Sequence, residues 1–240
     1  SNRLFNSLRL NLSRSIELSS RKTCSKYLLN FSNRHPRNEK VNAILPLKTL
    51  DQDLNLIFST KKGLVKKTHL SEFDKQRKGG IQAITLKEND EVVKVMLSHD
   101  NINFIIASRK GRAVRFNEKD VRVMGRTASG VRGIKLIKDY VIGMEYANEG
   151  DLLTVTENGY GKRTDVNEYR LITRGGKGVR NIKVTEKNGK VIGIKNVKDS
   201  DEIMCITDKG QIIRMQVKDI SRIGRSTQGV RVIRLREDDK

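Results

Sequence analysis

An all-β, propeller-like or solenoidal array of four-stranded blades is the fold that this sequence predicts, and three observations predict it. First, FSTKKGLVKKT, IASRKGRAVRF, TVTENGYGKRT and CITDKGQIIRM align with one another, and their shared glycines Gly63, Gly111, Gly159 and Gly210 stand 48, 48 and 51 residues apart. Second, each is followed by a further glycine-bearing segment: RKGGIQAITL, GRTASGVRGIKL, TRGGKGVRNIKV and GRSTQGVRVIRL. Their closing glycines Gly80, Gly130, Gly178 and Gly229 trail the first set by 17, 19, 19 and 19 residues. Third, the intervening runs are short, β-rich and bounded by Gly, Asn and Asp, with no sustained helical period. A fixed period of roughly 20–50 residues marks solenoids and propellers.

Each repeat justifies four strands in the same order. An acidic or polar turn leads into an apolar opening strand, as in NDEVVKVMLS, KDYVIGMEY and NGKVIGIKNV. A second apolar strand follows (LNLIFS, NFIIAS, DLLTVT, EIMCIT), then a tight turn whose glycine supplies positive φ. The third strand alternates, as in QIIRMQV, and a polar connection leads to the last strand, GVRGIKL or its equivalent. The expected blades are 39–86, 87–135, 136–184 and 185–240. Stacking buries one sheet face against the next, so Ile105, Leu152 and Ile203 are core residues and no blade folds alone.

Residues 1–38 fit none of this. They are rich in Ser, Asn and Arg with Glu17 as the only acid, a composition that matches an organelle transit peptide. A frame disruption or fragment boundary upstream of Glu39 accounts for the abrupt junction as well, and on either reading the segment is expected to be poorly ordered.

Charge narrows the function. The chain holds 49 Lys and Arg against 28 Asp and Glu, a net of +21, which points to a polyanionic partner. Aromatic residues make up 5% with no Trp, which argues against single-strand binding on stacking platforms. No apolar run approaches the ~20 residues that span a bilayer. Cys24 and Cys205 are far apart, and His35, His69 and His99 show no ligand spacing, so disulfide and metal chemistry lack support.

TRGGKGV invites comparison with a nucleotide cradle, yet a P-loop needs GxxxxGK[ST] ahead of a helix, and here Lys177 precedes Gly178, Val179 and a strand. Catalysis fares no better: Tyr160 and Tyr169 are conceivable nucleophiles, but no acid–base pair stands near them in the sequence. Positive charge, in contrast, recurs at matching positions. Each turn glycine is followed four residues later by a cation: Lys67, Arg115, Arg163 and Arg214. The connections carry Arg77, Arg126, Arg174 and Arg225, and two residues past the closing glycine stand Arg132, Arg180 and Arg231, with Gln82 in the first repeat. Lys66, Lys78, Lys162 and Lys177 adjoin these positions. All fifteen cations are candidate DNA contacts on one basic rim, with Gly175, Gly176 and Gly178 letting a basic loop turn close to a backbone. Such contacts read phosphates, not bases.

LTVTENGYGKRTDVNEY, RGGKGVRNIKVTEKNGKVIG, STKKGLVKKTHLSEF and MGRTASGVRGIKL resemble the C-terminal domain of bacterial DNA gyrase A, from about Glu39 to the end. The resemblance implies a six-bladed β-pinwheel whose blades exchange strands, which bends duplex DNA around its rim and supports ATP-driven negative supercoiling. It implies the rest of gyrase A and the gyrase B polypeptide as partners, a cytoplasmic, nucleoid-associated setting, and ATP and Mg for the parent type II topoisomerase. This chain itself needs no cofactor and lacks the family's catalytic tyrosine domain, so it is not expected to be an enzyme alone. The family's QRRGGKG box is missing from the first blade; TRGGKGV and the eroded KQRKGGI are its nearest counterparts, so the pinwheel is expected to be incomplete. The related C-terminal domain of topoisomerase IV, and a protein-binding β-propeller scaffold, are the alternative readings.

Overall fold

The computed structural model describes residues 7–14, 27–33, 40–47, 53–74 and 81–235. They form eighteen strands and four short 3-10 turns. Strands β1 (Ser7–Arg14), β2 (Tyr27–Asn33), β3 (Lys40–Leu47), β4 (Asn55–Thr60), β5 (Leu64–His69), β6 (Ile81–Thr85) and β7 (Val92–Ser98) come first. They are followed by β8 (Asn103–Ser108), β9 (Arg112–Asn117), β10 (Val131–Arg132), β11 (Val141–Tyr146), β12 (Asp151–Thr156) and β13 (Tyr160–Asp165). The last are β14 (Val179–Arg180), β15 (Val191–Val197), β16 (Glu202–Ile206), β17 (Ile212–Gln216) and β18 (Val230–Arg231). Two compact units result, one drawn from Ser1–Asp100 and Val121–Arg132, the other from Asn101–Asp120 and Gly133–Lys240.

The repeated hairpin is built the same way each time. In the β8–β9 turn the Gly111 amide donates to the Ser108 carbonyl at 3.0 Å, and the Arg112 amide donates to the Ser108 hydroxyl at 3.2 Å. Thr60 and Thr207 play the Ser108 role in their own hairpins. A hydroxyl three residues ahead of a glycine therefore caps three of the turns, while at Gly159 the Thr156 hydroxyl donates to the Tyr160 carbonyl at 3.1 Å instead. Asp90 and Asp139, just ahead of β7 and β11, accept the Lys62 and Lys110 turn amides at 2.9 and 3.1 Å.

Each hairpin then acquires two outer strands that lie later in the chain. The sheet orders are β10-β5-β4-β7, β11-β8-β9-β14 and β15-β12-β13-β18, all antiparallel. The expected boundaries at 86, 135 and 184 thus cut through every one of these sheets: a hairpin from one repeat pairs with the opening and closing strands of the next. A period carries no origin, so its phase had to come from pairing. The β16–β17 hairpin is two-stranded among the described residues.

Residues 7–14 and 27–33 differ from expectation, because β1 and β2 join β3 and β6 in a four-stranded sheet of order β3-β2-β1-β6, while the rest of 1–38 lies outside the described residues. SLRLNLSR does alternate Leu8, Leu10 and Leu12 with polar residues, a period of two that the Ser- and Arg-rich composition obscured.

Apolar clusters fill the spaces between successive sheets. In the first unit Leu56, Phe58, Leu70, Phe73, Ala83, Ile84 and Val95 pack with Leu45 and Leu97. In the second, Ile105, Ala107, Leu152, Val166 and Tyr169 form one layer, and Leu153, Val197, Val217 and Ile220 with Ile203 form another. Ile105 and Leu152 are fully buried, as expected of core residues.

The closing strands are only two residues long, so their seat matters. Gly178, at φ +69°, lies where a Cβ would come within 2.3 Å of the Ala113 carbonyl oxygen. Any side chain there would push β14 off β9. Gly176, two residues earlier, would meet the Ile172 side chain at 3.6 Å and the Gly178 backbone nitrogen at 3.9 Å, both ordinary contacts. Gly178→Ala should therefore cost about 1–3 kcal/mol in urea unfolding, whereas Gly176→Ala should change stability by no more than about 0.5 kcal/mol.

Candidate nucleic-acid interface

The basic positions separate into an inward and an outward set, and the inward set corrects the sequence reading. Lys66, Lys67, Arg115, Lys162 and Arg163 are buried. Their backbones are bridged to the polar connections: the Lys67, Arg115 and Arg163 carbonyls accept the Met124, Ile172 and Ile223 amides at 2.8, 3.0 and 2.9 Å. Arg115 Nη1 donates to the Val166 and Tyr169 carbonyls at 3.0 and 3.2 Å, at the two ends of the 3-10 turn Val166–Glu168. Arg163 repeats the arrangement at the next turn, with Nε on the Ile220 carbonyl at 2.7 Å and Nη1 against Asp151 and Asp199. A short 3-10 turn leaves carbonyl capacity over, since Val166 takes the Tyr169 amide within the turn and the guanidinium adds a second donor there and one at Tyr169. All five side chains are buried, and Lys66, Arg115, Lys162 and Arg163 donate to backbone carbonyls.

Lys66 and Lys162, one position earlier on their strands, do similar work. Lys66 Nζ donates to the Ala83 and Arg126 carbonyls, both at 2.5 Å, and sits 5.5 Å from the Phe58 ring centroid. Lys162 Nζ donates to the Gly224 carbonyl at 2.7 Å. Burial, reinforced by Arg126 and opposed by Glu72, pushes Lys66 down to about 7. Burial pushes Lys162 down to about 8, with Glu168 opposing and Arg225 adding to the shift.

The outward set lies on the connections and closing strands. In β10, β14 and β18 the Val is half-buried and Arg132, Arg180 and Arg231 are exposed, as two-residue alternation requires. Lys177 is exposed. Arg126, Arg174 and Arg225 are half-buried: Arg126 approaches Glu72 at 3.8 Å, Arg174 Nε donates to the Asp120 carbonyl at 2.8 Å, and Arg225 lies over the Tyr169 ring. Arg214 is exposed and paired with Glu202. Arg77 and Lys78 lie outside the described residues. The glycine loop is shaped by backbone pairing, since the Gly175 amide donates to the Gly133 carbonyl at 2.6 Å and the Gly176 carbonyl accepts the Lys135 amide at 2.8 Å.

Sequence reasoning passed over Arg112, Arg122 and Arg170, all exposed. Arg112 follows a turn glycine, where the other repeats carry Leu64, Tyr160 and Gln211, so position alone did not single it out. Tyr169 is buried, its hydroxyl donating to Asn181 Oδ1 at 2.6 Å, and burial pushes its phenol up, the reverse of what a nucleophile needs. Among the described residues no group of three His, Cys, Asp or Glu is placed to hold a metal, and no helix is long and apolar enough to cross a membrane.

Comparison with known proteins is consistent with this architecture. A family model described as the DNA gyrase C-terminal domain, β-propeller, matches residues 54–99, 103–148, 150–198 and 201–240, each segment starting at a hairpin. The DNA gyrase A polypeptide of Salmonella typhimurium is 48% identical over 204 residues, which cover 84% of this chain and 23% of that protein. Its Staphylococcus epidermidis counterpart is 43% identical over 203 residues, covering 82% and 23%. The chain thus spans about a quarter of the length of these relatives. A solved DNA gyrase A C-terminal domain superposes with a TM-score of 0.78 at 25% identity, covering 98% of this chain and 80% of that one. The C-terminal domain of DNA topoisomerase IV shares the fold, with a TM-score of 0.78 at 24% identity over 95% and 75% of the two chains.

Inward and outward cations differ in what their loss costs. Arg115→Met removes the guanidinium from the Val166 and Tyr169 carbonyls, of which Val166 keeps the Tyr169 amide, and should lower unfolding free energy by about 1–3 kcal/mol, while Arg231→Gln should stay within about 0.5 kcal/mol; urea titration of each variant checks both. The lysines add a pH dependence. In the unfolded chain each keeps its proton up to the ordinary value of 10.5, above the folded values of about 7 and 8. Across that window the unfolded chain binds more protons, so stability rises with pH, and it is lowest below pH 7, where both lysines are charged in either state. Unfolding free energy should climb between pH 7 and pH 9.5, and Lys66→Met should flatten the climb.

Proposed function

The chain belongs to the DNA gyrase C-terminal domain family, and on that basis we propose that it binds duplex DNA through its phosphates and bends it as the wrapping element of a gyrase A polypeptide. The observation that carries this reading is the Arg at the second position of three closing strands, β10, β14 and β18: Arg132, Arg180 and Arg231, each exposed beside a half-buried Val. Neutral residues would pair as well in a two-residue strand. Repeated outward charge on a chain of net +21 fits a polyanion held by its backbone.

Such contacts set the path of a duplex without reading its bases, and bending is favoured where the sequence deforms easily. Wrapping would present DNA to the parts of the enzyme that cut, pass and rejoin it. Catalysis, ATP and Mg belong to those parts, the remainder of gyrase A together with gyrase B, and this chain supplies DNA geometry to ATP-dependent negative supercoiling in the bacterial cytoplasm and nucleoid. The gyrase assignment is preferred over topoisomerase IV because the sequence relatives at 43–48% identity are gyrase A polypeptides.

Binding to a duplex should weaken steeply with salt. Arg132, Arg180 and Arg231 replaced together by Gln should reduce the slope of log K against log salt by about 0.9 per phosphate no longer neutralised, equally for unrelated sequences. Nicked-plasmid ligation should show a shift in linking number with the intact chain and a smaller one with the triple variant. Salt-independent binding, or an unshifted linking number, would refute the wrapping reading.

A further inference from the structure

We propose that Arg112 and Arg180 form a two-guanidinium clamp that closes on a single backbone phosphate of duplex DNA. The proposal rests on the duplex-binding reading above. Arg180 in β14 stands directly opposite Arg112 in β9, and residues opposite one another on antiparallel strands project from the same face. Both are exposed. Like charges so placed repel, and proteins usually avoid that arrangement.

Three arginines elsewhere in the second unit meet carboxylates: Arg214 pairs with Glu202, Arg222 with Asp151 and Asp165, and Arg109 with Glu157. No ion pair involves Arg112 or Arg180 among the described residues. Their positions are nonetheless held. Gly178 seats β14 tightly on the Ala113 carbonyl, Arg112 Nη1 reaches the Gly178 carbonyl at 3.4 Å, and Arg225 Nη1 donates to the Arg180 carbonyl at 3.2 Å.

The doubling is peculiar to this sheet. Arg132 stands opposite Leu64, and Arg231 opposite Tyr160, whose hydroxyl accepts from Arg231 Nη2 at 3.1 Å. A duplex phosphate offers two unesterified oxygens and one negative charge, so two forks can each take an oxygen while the charge relieves their repulsion. The glycine loop supports the clamp by fixing the register of β14.

The test compares the full chain with Arg112→Leu, Arg180→Leu and the double variant, Leu being the residue that faces Arg132 in its own sheet. Duplex affinity is read by fluorescence anisotropy between about 50 and 300 mM salt. If one phosphate is shared, the double variant lowers the salt slope by about 0.9 and loses about eightfold in affinity at 0.1 M salt, and the single losses do not add. An additive loss of about 1.8 in slope would mean two separate phosphates and overturn the clamp, as would an unchanged slope. Either result would leave duplex binding itself standing, whereas absence of salt-dependent binding by the unaltered chain would overturn both proposals. Polyglutamate that competes as well as duplex would assign the pair to a protein partner and overturn it. Melting of the free variants at low salt should be unchanged or higher, since repulsion is relieved; a lower melting temperature would assign the pair to the fold instead.

Discussion

Two residues of chain close each hairpin, and they come from further along the sequence. Val131–Arg132, Val179–Arg180 and Val230–Arg231 are what cover the outer edges of β5, β9 and β13. A lone hairpin is marginal in water, and an open edge invites pairing with other chains. Because the cover is supplied by the next repeat, each repeat depends on its successor for a complete sheet. The closing glycine makes this possible by letting the incoming backbone rest almost on a carbonyl, as Gly178 does on Ala113.

The buried cations belong to the same device. Arg115 and Arg163 sit where backbone bridges tie the hairpin to the following connection, and their side chains continue inward to the carbonyls of the next 3-10 turn. Burying a charge is tolerable only when its donors are used, and here the partners are backbone carbonyls of the turn. The β16–β17 hairpin supplies the contrast. It has no outer strands among the described residues, and its equivalent residue, Arg214, lies at the surface and takes a carboxylate instead.

The legible part of the fold was the part governed by local rules. Turn glycines and apolar opening strands describe short-range geometry, and both reappear in the structure. The phase of the blades was not legible, because a period of about 48 residues fits any starting point. Lys66 and Lys67 were misplaced for a related reason. They lie on β5, a strand with a neighbour on either edge, and four consecutive positions from Val65 to Thr68 are buried. In such a strand alternation no longer separates inside from outside.

Residue types and their spacing were thus sufficient for an all-β repeat, for the positions of its turns and for the resemblance to gyrase A. They could not sort the cations. Whether a lysine or arginine meets a phosphate or a carbonyl depends on what a repeat some 50 residues away lays over it, and no local pattern records that. The packed chain decides it: Arg115 faces a turn that needs its donors, while Arg112, three residues earlier on the same strand, is left outside opposite a second arginine.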